Sequence, residues 1–391
     1  MITGKTRKMT DYMERYTFEA EWYDKVACTL KKFYFYYFPA DNTIELFDTK
    51  TRKTFLKRTK CDGIDLKDIY IGATVTIFAR SIKIMDYGDS TTKLNLQTKT
   101  QKTFGLIKPD AVDKLGEILT RIYSHDFYIT NINMVNLTED DVTELFKDKE
   151  NIDLTAFLTY LTSGPVVALE VLGENGIARW LEFLGPNDSK EARETAPQTL
   201  RARYGIDSMR NVVYSCDNSE EIDKALDMFF PKKKPKRKPP KNSATLRNCT
   251  CCIIKPHAVQ AKLAGSIIDD IQKAGYVISA LKLFYVDPVN AEEFLEVYKG
   301  VLPDYESMVV ELQSGACIAM EVKPKDEQLN VNVEFRKLCG PLDPEIAKQI
   351  RPNTLRAKYG KTRPQNAIHC SDLPEDGVLE AEYFFKILDD N

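Results

Sequence analysis

His369, in the stretch QNAIHCSD from Gln365 to Asp372, is the residue whose surroundings suggest nucleophilic chemistry. A neutral imidazole is nucleophilic near neutral pH once a second group fixes its tautomer and takes the proton on its other nitrogen. Glu380 is the carboxylate placed to do this. It lies eleven residues on, at the start of the apolar, helix-compatible stretch LEAEYFFKI (Leu379 to Ile387). The chain has three histidines, and neither His125 nor His257 has a comparable setting. Taken alone, the stretch reads better as a histidine capping a strand end; the rest of the chain changes that balance.

The elements that would position His369 occur twice. TFGLIKPDAV (Thr103 to Val112) returns as TCCIIKPHAV (Thr250 to Val259), and SGPVVALEV (Ser163 to Val171) as SGACIAMEV (Ser314 to Val322). TLRARYG (Thr199 to Gly205) returns as TLRAKYG (Thr354 to Gly360), and RNVVYSCD (Arg210 to Asp217) as QNAIHCSD. The offset is 147 residues for the first pair and 155 for the last two, so small insertions fall between. Two copies of one domain are the economical explanation. Each copy begins with an apolar strand ending at Lys-Pro, followed by a helix-like segment, a second strand, more helix and the strand after Ser-Gly. That alternation predicts an α/β architecture with helices packed on one sheet.

Together these segments resemble the nucleoside diphosphate kinases, from end to end of each copy. The strand ending in Lys-Pro, the Ser-Gly turn, Thr-Leu-Arg and Asn-x-x-His-x-Ser-Asp form a specific combination. The resemblance implies a ferredoxin-like fold (α+β) for each copy. It also implies ping-pong transfer of a γ-phosphoryl group from a nucleoside triphosphate through a phosphohistidine, with Mg²⁺ carried on the nucleotide phosphates. On it, His369 is the acceptor and Glu380 its orienting carboxylate, while Lys255, Tyr298, Arg336, Arg356 and Asn366 line the nucleotide and phosphate site. Fixed cations and donors suit this chemistry, because phosphoryl transfer spreads negative charge over oxygens that must be held in line. A β-rich module followed by two copies, the first imperfect, resembles the seventh group of these kinases, associated with flagella and centrosomes. The expected setting is then the cytoplasm and cytoskeleton, in the axoneme of a cilium or flagellum, with tubulin or other axonemal microtubule proteins as partners. The front module would be pleckstrin-like.

The copies depart from the family pattern unequally. In the second, Leu342 stands where the family has a phosphate-binding threonine, His257 replaces the aspartate of Lys-Pro-Asp as a helix-start substitution, and Asp304-Tyr305 lies near the usual base-stacking phenylalanine. In the first, the 155-residue offset sets Tyr214 at His369, Ala225 at Glu380 and Leu181 at Arg336. Nucleophile, orienter and one phosphate clamp are absent together, so the first copy is expected not to transfer phosphate. Lys108, Arg201 and Asn211 remain.

The 391 residues suggest two or three domains, here read as 1–98, 99–231 and 246–391 with a linker at 232–245. Hydrophobic content of 43% and charge of 29% fit a globular chain without a membrane segment, and the net charge of −3 gives no reason to expect nucleic acid. Nine scattered cysteines fit reduced thiols inside the cell, and the cluster Cys249, Cys251 and Cys252 reads as buried strand thiols. Tyr16 to Tyr87 reads as short aromatic strands with a hairpin at Asp41-Asn42, a docking module rather than a chemical site. Ser90 to Lys102 is a polar boundary. PKKKPKRKPPK (Pro231 to Lys241), with seven basic residues among prolines, is expected to be an extended, exposed linker: a solvated spacer, a cryptic nuclear signal, or a contact for an acidic surface such as a tubulin tail.

Overall fold

The computed structural model describes residues 14–24, 27–61, 64–78, 80–97, 100–147, 153–231, 237–326 and 330–389. The chain divides into two compact units, Met1–Thr100 and Gln101–Asn391.

The first unit is a six-stranded antiparallel sheet built from β1 (Tyr16–Asp24), β2 (Thr29–Phe38), β3 (Thr43–Asp48), β4 (Lys53–Lys60), β5 (Thr74–Ile77) and β6 (Arg80–Tyr87). Its order is β4-β3-β2-β1-β6-β5. Alternating residues, Phe33, Phe35 and Tyr37 of β2 and Ile44 and Leu46 of β3, turn inward onto Phe18, Val75 and Ile82, as a half-buried strand requires. The expected hairpin forms at Asp41-Asn42. Asn42 takes φ +54°, and Asp41 Oδ1 accepts the Thr43 N–H at 3.2 Å. The polar boundary stretch from Ser90 to Lys102 opens with the helix Ser90–Gln97, and the division between the two units falls inside it, after Thr100. Asp89 Oδ1 caps this helix by accepting the Thr92 N–H at 2.6 Å, and Thr92 Oγ1 accepts the Thr17 N–H at 2.8 Å.

In the second unit, copy one contributes β7 (Thr100–Ile107), β8 (Tyr128–Asn136), β9 (Val166–Glu174) and β10 (Val213–Ser215). After a short β11 (Lys241–Asn242), copy two contributes β12 (Thr250–Ile254), β13 (Tyr276–Tyr285), β14 (Ala316–Pro324) and β15 (Ile368–Cys370). The sheet runs β10-β7-β9-β8-β13-β14-β12-β15, so each copy has its first strand between the third and fourth, the ferredoxin-like order. The copies meet at β8 and β13, where Asn133 pairs with Lys282. One apolar core crosses the junction, including Leu119, Ile122, Ile132, Ile267, Ile271 and Leu281.

Two glycines let the helices of the junction touch. A Cβ on Gly116 would sit 2.1 Å from Asp269 N, and one on Gly265 would sit 2.4 Å from Thr120 N. Each contact repeats the other with the copies exchanged, as a two-fold pairing demands. Gln272 adds a reciprocal bond, accepting Gly116 N–H at 2.9 Å and donating to Val112 O at 2.8 Å.

The interdomain linker differs from its expectation at its far end. Lys232 to Lys236 lie outside the described residues. Arg237 is exposed but ion-paired with Asp141 at 2.9 Å, Pro240 is buried, and β11 pairs with β8 through Lys241–Asn136 and Asn242–Val135. Asn242 Nδ2 donates to Phe385 O at 2.8 Å, and Ser243 Oγ to Ser279 O at 2.7 Å. The segment is therefore a strand rather than a free spacer here, because the β8 edge left open beside the junction offers backbone partners. The thiols of Cys249, Cys251 and Cys252 are free and buried on and beside β12.

Candidate active site

β12 is followed by Lys255, whose N–H donates to Ala367 O at 2.9 Å, and the proline after it starts the helix Pro256–Gln260. This join lays β15 beside β12, with Ile253 opposite His369. Ala367 has φ +72° and its counterpart Val212 in copy one φ +77°, a left-handed turn costly for any residue but glycine and tolerated where the surroundings enforce it.

His369 is 7% exposed, and its Nε2 stands 2.8 Å from Glu380 Oε2. Glu380 belongs to the helix Asp376–Glu382, which starts three residues before the stretch read from the sequence. The same oxygen accepts the Ser371 hydroxyl at 2.7 Å. A carboxylate accepting from Nε2–H leaves the lone pair on Nδ1, the nitrogen then available to act as a nucleophile. Phe294 stands edge-on to the imidazole with centroids 5.2 Å apart, and Tyr298 likewise at 6.4 Å.

Asp372 collects two of the expected phosphate-site residues. Its Oδ2 accepts Tyr298 OH at 2.6 Å, its Oδ1 lies 3.1 Å from Arg336 Nη2, and its carbonyl accepts from Arg336 Nη1. Burial, then the bond to Asp372, pushes the Tyr298 phenol well above its ordinary range. Arg336 leaves nearly half its side chain in solvent, at 45%. Lys255 is buried, donating from Nζ to Pro364 O at 2.8 Å. Burial and then the charge of Arg356 lower its ammonium to about 7. Asn366 donates to Leu342 O at 3.0 Å, while its Oδ1 is buried without a hydrogen-bond partner.

Arg356 departs from its expectation as a phosphate clamp. It is 4% exposed and donates to Gly340 O at 2.8 Å, to Ile368 O at 3.4 Å and to Cys370 Sγ at 3.6 Å. Its guanidinium thus braces β15 from behind, and its influence on the site is electrostatic, through Lys255. Asp304 is ion-paired with Arg363 at 2.8 Å and Tyr305 opens the helix Tyr305–Leu312, so both are in structural use.

The nucleoside diphosphate kinase family model matches residues 101–235 and 248–389. The chain belongs to the nucleoside diphosphate kinase family. It is 45% identical over 377 residues to nucleoside diphosphate kinase homolog 7 of Rattus norvegicus, covering 96% of this chain and 94% of that one. The Mus musculus protein of the same name is 44% identical over the same shares. The Aquifex aeolicus nucleoside diphosphate kinase in an orthorhombic crystal form is 34% identical over 32% of this chain and 92% of its own, with a TM-score of 0.32.

The first copy differs from copy two in what fills the equivalent positions. Tyr214 occupies the β10 position equivalent to His369, packed on Phe146 at 4.8 Å, and Ala225 is buried where the orienting carboxylate would stand. Lys108 Nζ donates to Asn211 Oδ1 and to Met209 O, each at 2.7 Å, and the Phe157 ring covers it at 5.5 Å. Arg201 donates to Gly185 O at 2.7 Å and Val213 O at 3.0 Å, the same bracing as Arg356. The residual residues are present, but Lys108 and Asn211 are bonded to each other, where Asn366 Oδ1 of copy two has no such partner.

Sequence reasoning missed three residues that the structure places around His369. Ser371 and Asp372 stood inside the QNAIHCSD stretch with no role assigned, and Phe294 precedes Tyr298 by four residues, the spacing of neighbours on one helical face.

Proposed function

We propose that this chain is a microtubule-associated nucleoside diphosphate kinase of the axoneme, with chemistry confined to copy two. His369 Nδ1 attacks the γ-phosphorus of a nucleoside triphosphate, the bond to the β-phosphate oxygen breaks, and the diphosphate leaves. A second nucleoside diphosphate then takes the phosphoryl group by the reverse step. Glu380 holds the Nε2 proton throughout and offsets the charge of the imidazole. Lys255 and Arg336 meet the phosphate oxygens, with Tyr298 and Asn366 orienting them. Mg²⁺ enters as part of the substrate, where it neutralises phosphate charge. The cations Lys255 and Arg336 and the Tyr298 hydroxyl suit such a magnesium-bound phosphate.

One observation carries this reading: Nε2 of His369 is paired with a carboxylate, and the equivalent residues of copy one have lost both members. His369→Ala should abolish acid-labile phosphoenzyme and GTP formation from GDP. Survival of either activity removes the assignment.

A scaffold role accompanies the enzymatic one. It is favoured by the replacement of the nucleophile and its carboxylate in the first copy, by the basic linker, and by the edge strand β4, which exposes Lys53, Phe55, Lys57, Arg58 and Lys60. Such a strand suits an acidic protein surface, as a pleckstrin-like docking module would present. Co-sedimentation with microtubules should be strong for the full chain and weak without residues 1–100. Absence of binding by the full chain counts against the scaffold.

A further inference from the structure

After Lys-Pro, copy one has Asp110, and Tyr160 from the helix Leu154–Leu161 donates its hydroxyl to Asp110 Oδ1. Copy two has exchanged both partners. His257 takes the place of Asp110, and Glu311, on the helix Tyr305–Leu312, takes the place of Tyr160. His257 Nδ1 lies 2.6 Å from Glu311 Oε1, and that oxygen also accepts the His257 backbone N–H at 3.0 Å. Glu311 Oε2 accepts Gln365 Nε2 at 3.0 Å. His257 and Glu311 are 7% and 5% exposed. Gln365 lies between Pro364, whose carbonyl receives Lys255 Nζ, and Asn366.

In the exchange, the donor and acceptor have changed sides, yet each copy keeps one carboxylate near its lysine. We propose that Glu311 is a positioning residue of the second site, held by His257 and Gln365 so that it supplies the buried counter-charge of Lys255 and ties the Pro364–Asn366 turn to the Lys-Pro turn. The proposal rests on the phosphoryl-transfer reading of His369. A buried ammonium is costly without an opposite charge. The groups facing Lys255 are Arg356, which lowers its affinity for the proton, and Glu311 and Cys370, which raise it. Lys108 has the matching set, with Arg201 lowering and Asp110 and Asp207 raising. The hydrogen bonds from His257 and Gln365 in turn keep the Glu311 carboxyl below its ordinary range, although burial alone would raise it.

The test uses the full-length chain. Glu311→Gln keeps the shape and removes the charge, so the alkaline limb of the pH profile for phosphoenzyme formation should move down by on the order of one unit. Uniform loss at every pH, with no shift of the limb, would mean a merely structural role and overturn the proposal. His257→Asp alone sets two carboxylates together and Glu311→Tyr alone leaves none, so each should impair the site. The double variant H257D/E311Y installs the pair of copy one and should recover the wild-type limb; a double variant no better than either single variant overturns the exchange. A ¹⁵N NMR titration of Lys255 Nζ, assigned with Lys255→Arg, separates this proposal from its parent. A midpoint unchanged in Glu311→Gln defeats the counter-charge role, whereas a lowered midpoint in a chain that never forms phosphoenzyme supports that role and defeats only the kinase reading.

Discussion

Glu380 Oε2 stands 2.8 Å from His369 Nε2 while also accepting Ser371 Oγ at 2.7 Å, so a single oxygen sets the imidazole tautomer and is itself held in place. Glu380→Gln should slow phosphoenzyme formation by roughly 10- to 100-fold, the usual cost of removing a group that orients a reactive imidazole. Ser371→Ala should have a smaller effect in the same direction. Initial rates of ³²P incorporation from labelled ATP measure both, and a full rate in Glu380→Gln would contradict the role given to the carboxylate.

Lys255 releases its proton at about 7 in the folded chain, against 10.5 ordinarily. Phosphate binding that needs the ammonium should weaken as pH rises through 7. Stability moves the opposite way: between about 7 and 10.5 the unfolded chain binds more protons at this position, so folding gains from rising pH across that window. Urea midpoints across this range, compared with those of Lys255→Met, should show a rise that the variant lacks.

Restoring two of the three lost residues of copy one should give no phosphoryl transfer. Tyr214→His with Ala225→Glu leaves Leu181 where copy two has Arg336, and leaves Lys108 engaged by Asn211 and Met209. In a chain that also carries His369→Ala, the double change should give no ³²P-labelled protein. Stable, acid-labile label would show that the first cleft opens more readily than its contacts indicate.

Gly116→Ala and Gly265→Ala should destabilise the second unit to a similar degree, because each added methyl meets backbone of the opposing helix within 2.4 Å. Overpacking of this kind costs about 1–3 kcal/mol, more than alanine's helix preference returns. Chemical denaturation followed by tryptophan fluorescence checks this, since Trp180 is fully buried in the same core.

Local pattern determined much of this protein. The duplicated Lys-Pro, Ser-Gly, Thr-Leu-Arg and Asn-x-x-His stretches sufficed for two α/β copies and for the pairing of His369 with Glu380, because short-range order and the eleven-residue return are written in adjacent elements. The replacement of nucleophile, orienting carboxylate and clamp in copy one was equally visible, as Tyr214, Ala225 and Leu181. Tertiary structure alone decided how the copies join, since the β8–β13 junction and the reciprocal glycines depend on surfaces distant in sequence. It also decided that Arg356 braces β15, that Asp372 gathers Tyr298 with Arg336, and that the end of the basic linker becomes a strand. Each of these is set by which backbone groups and charges are left unsatisfied once the chain has packed, and residue types in a row do not carry that information.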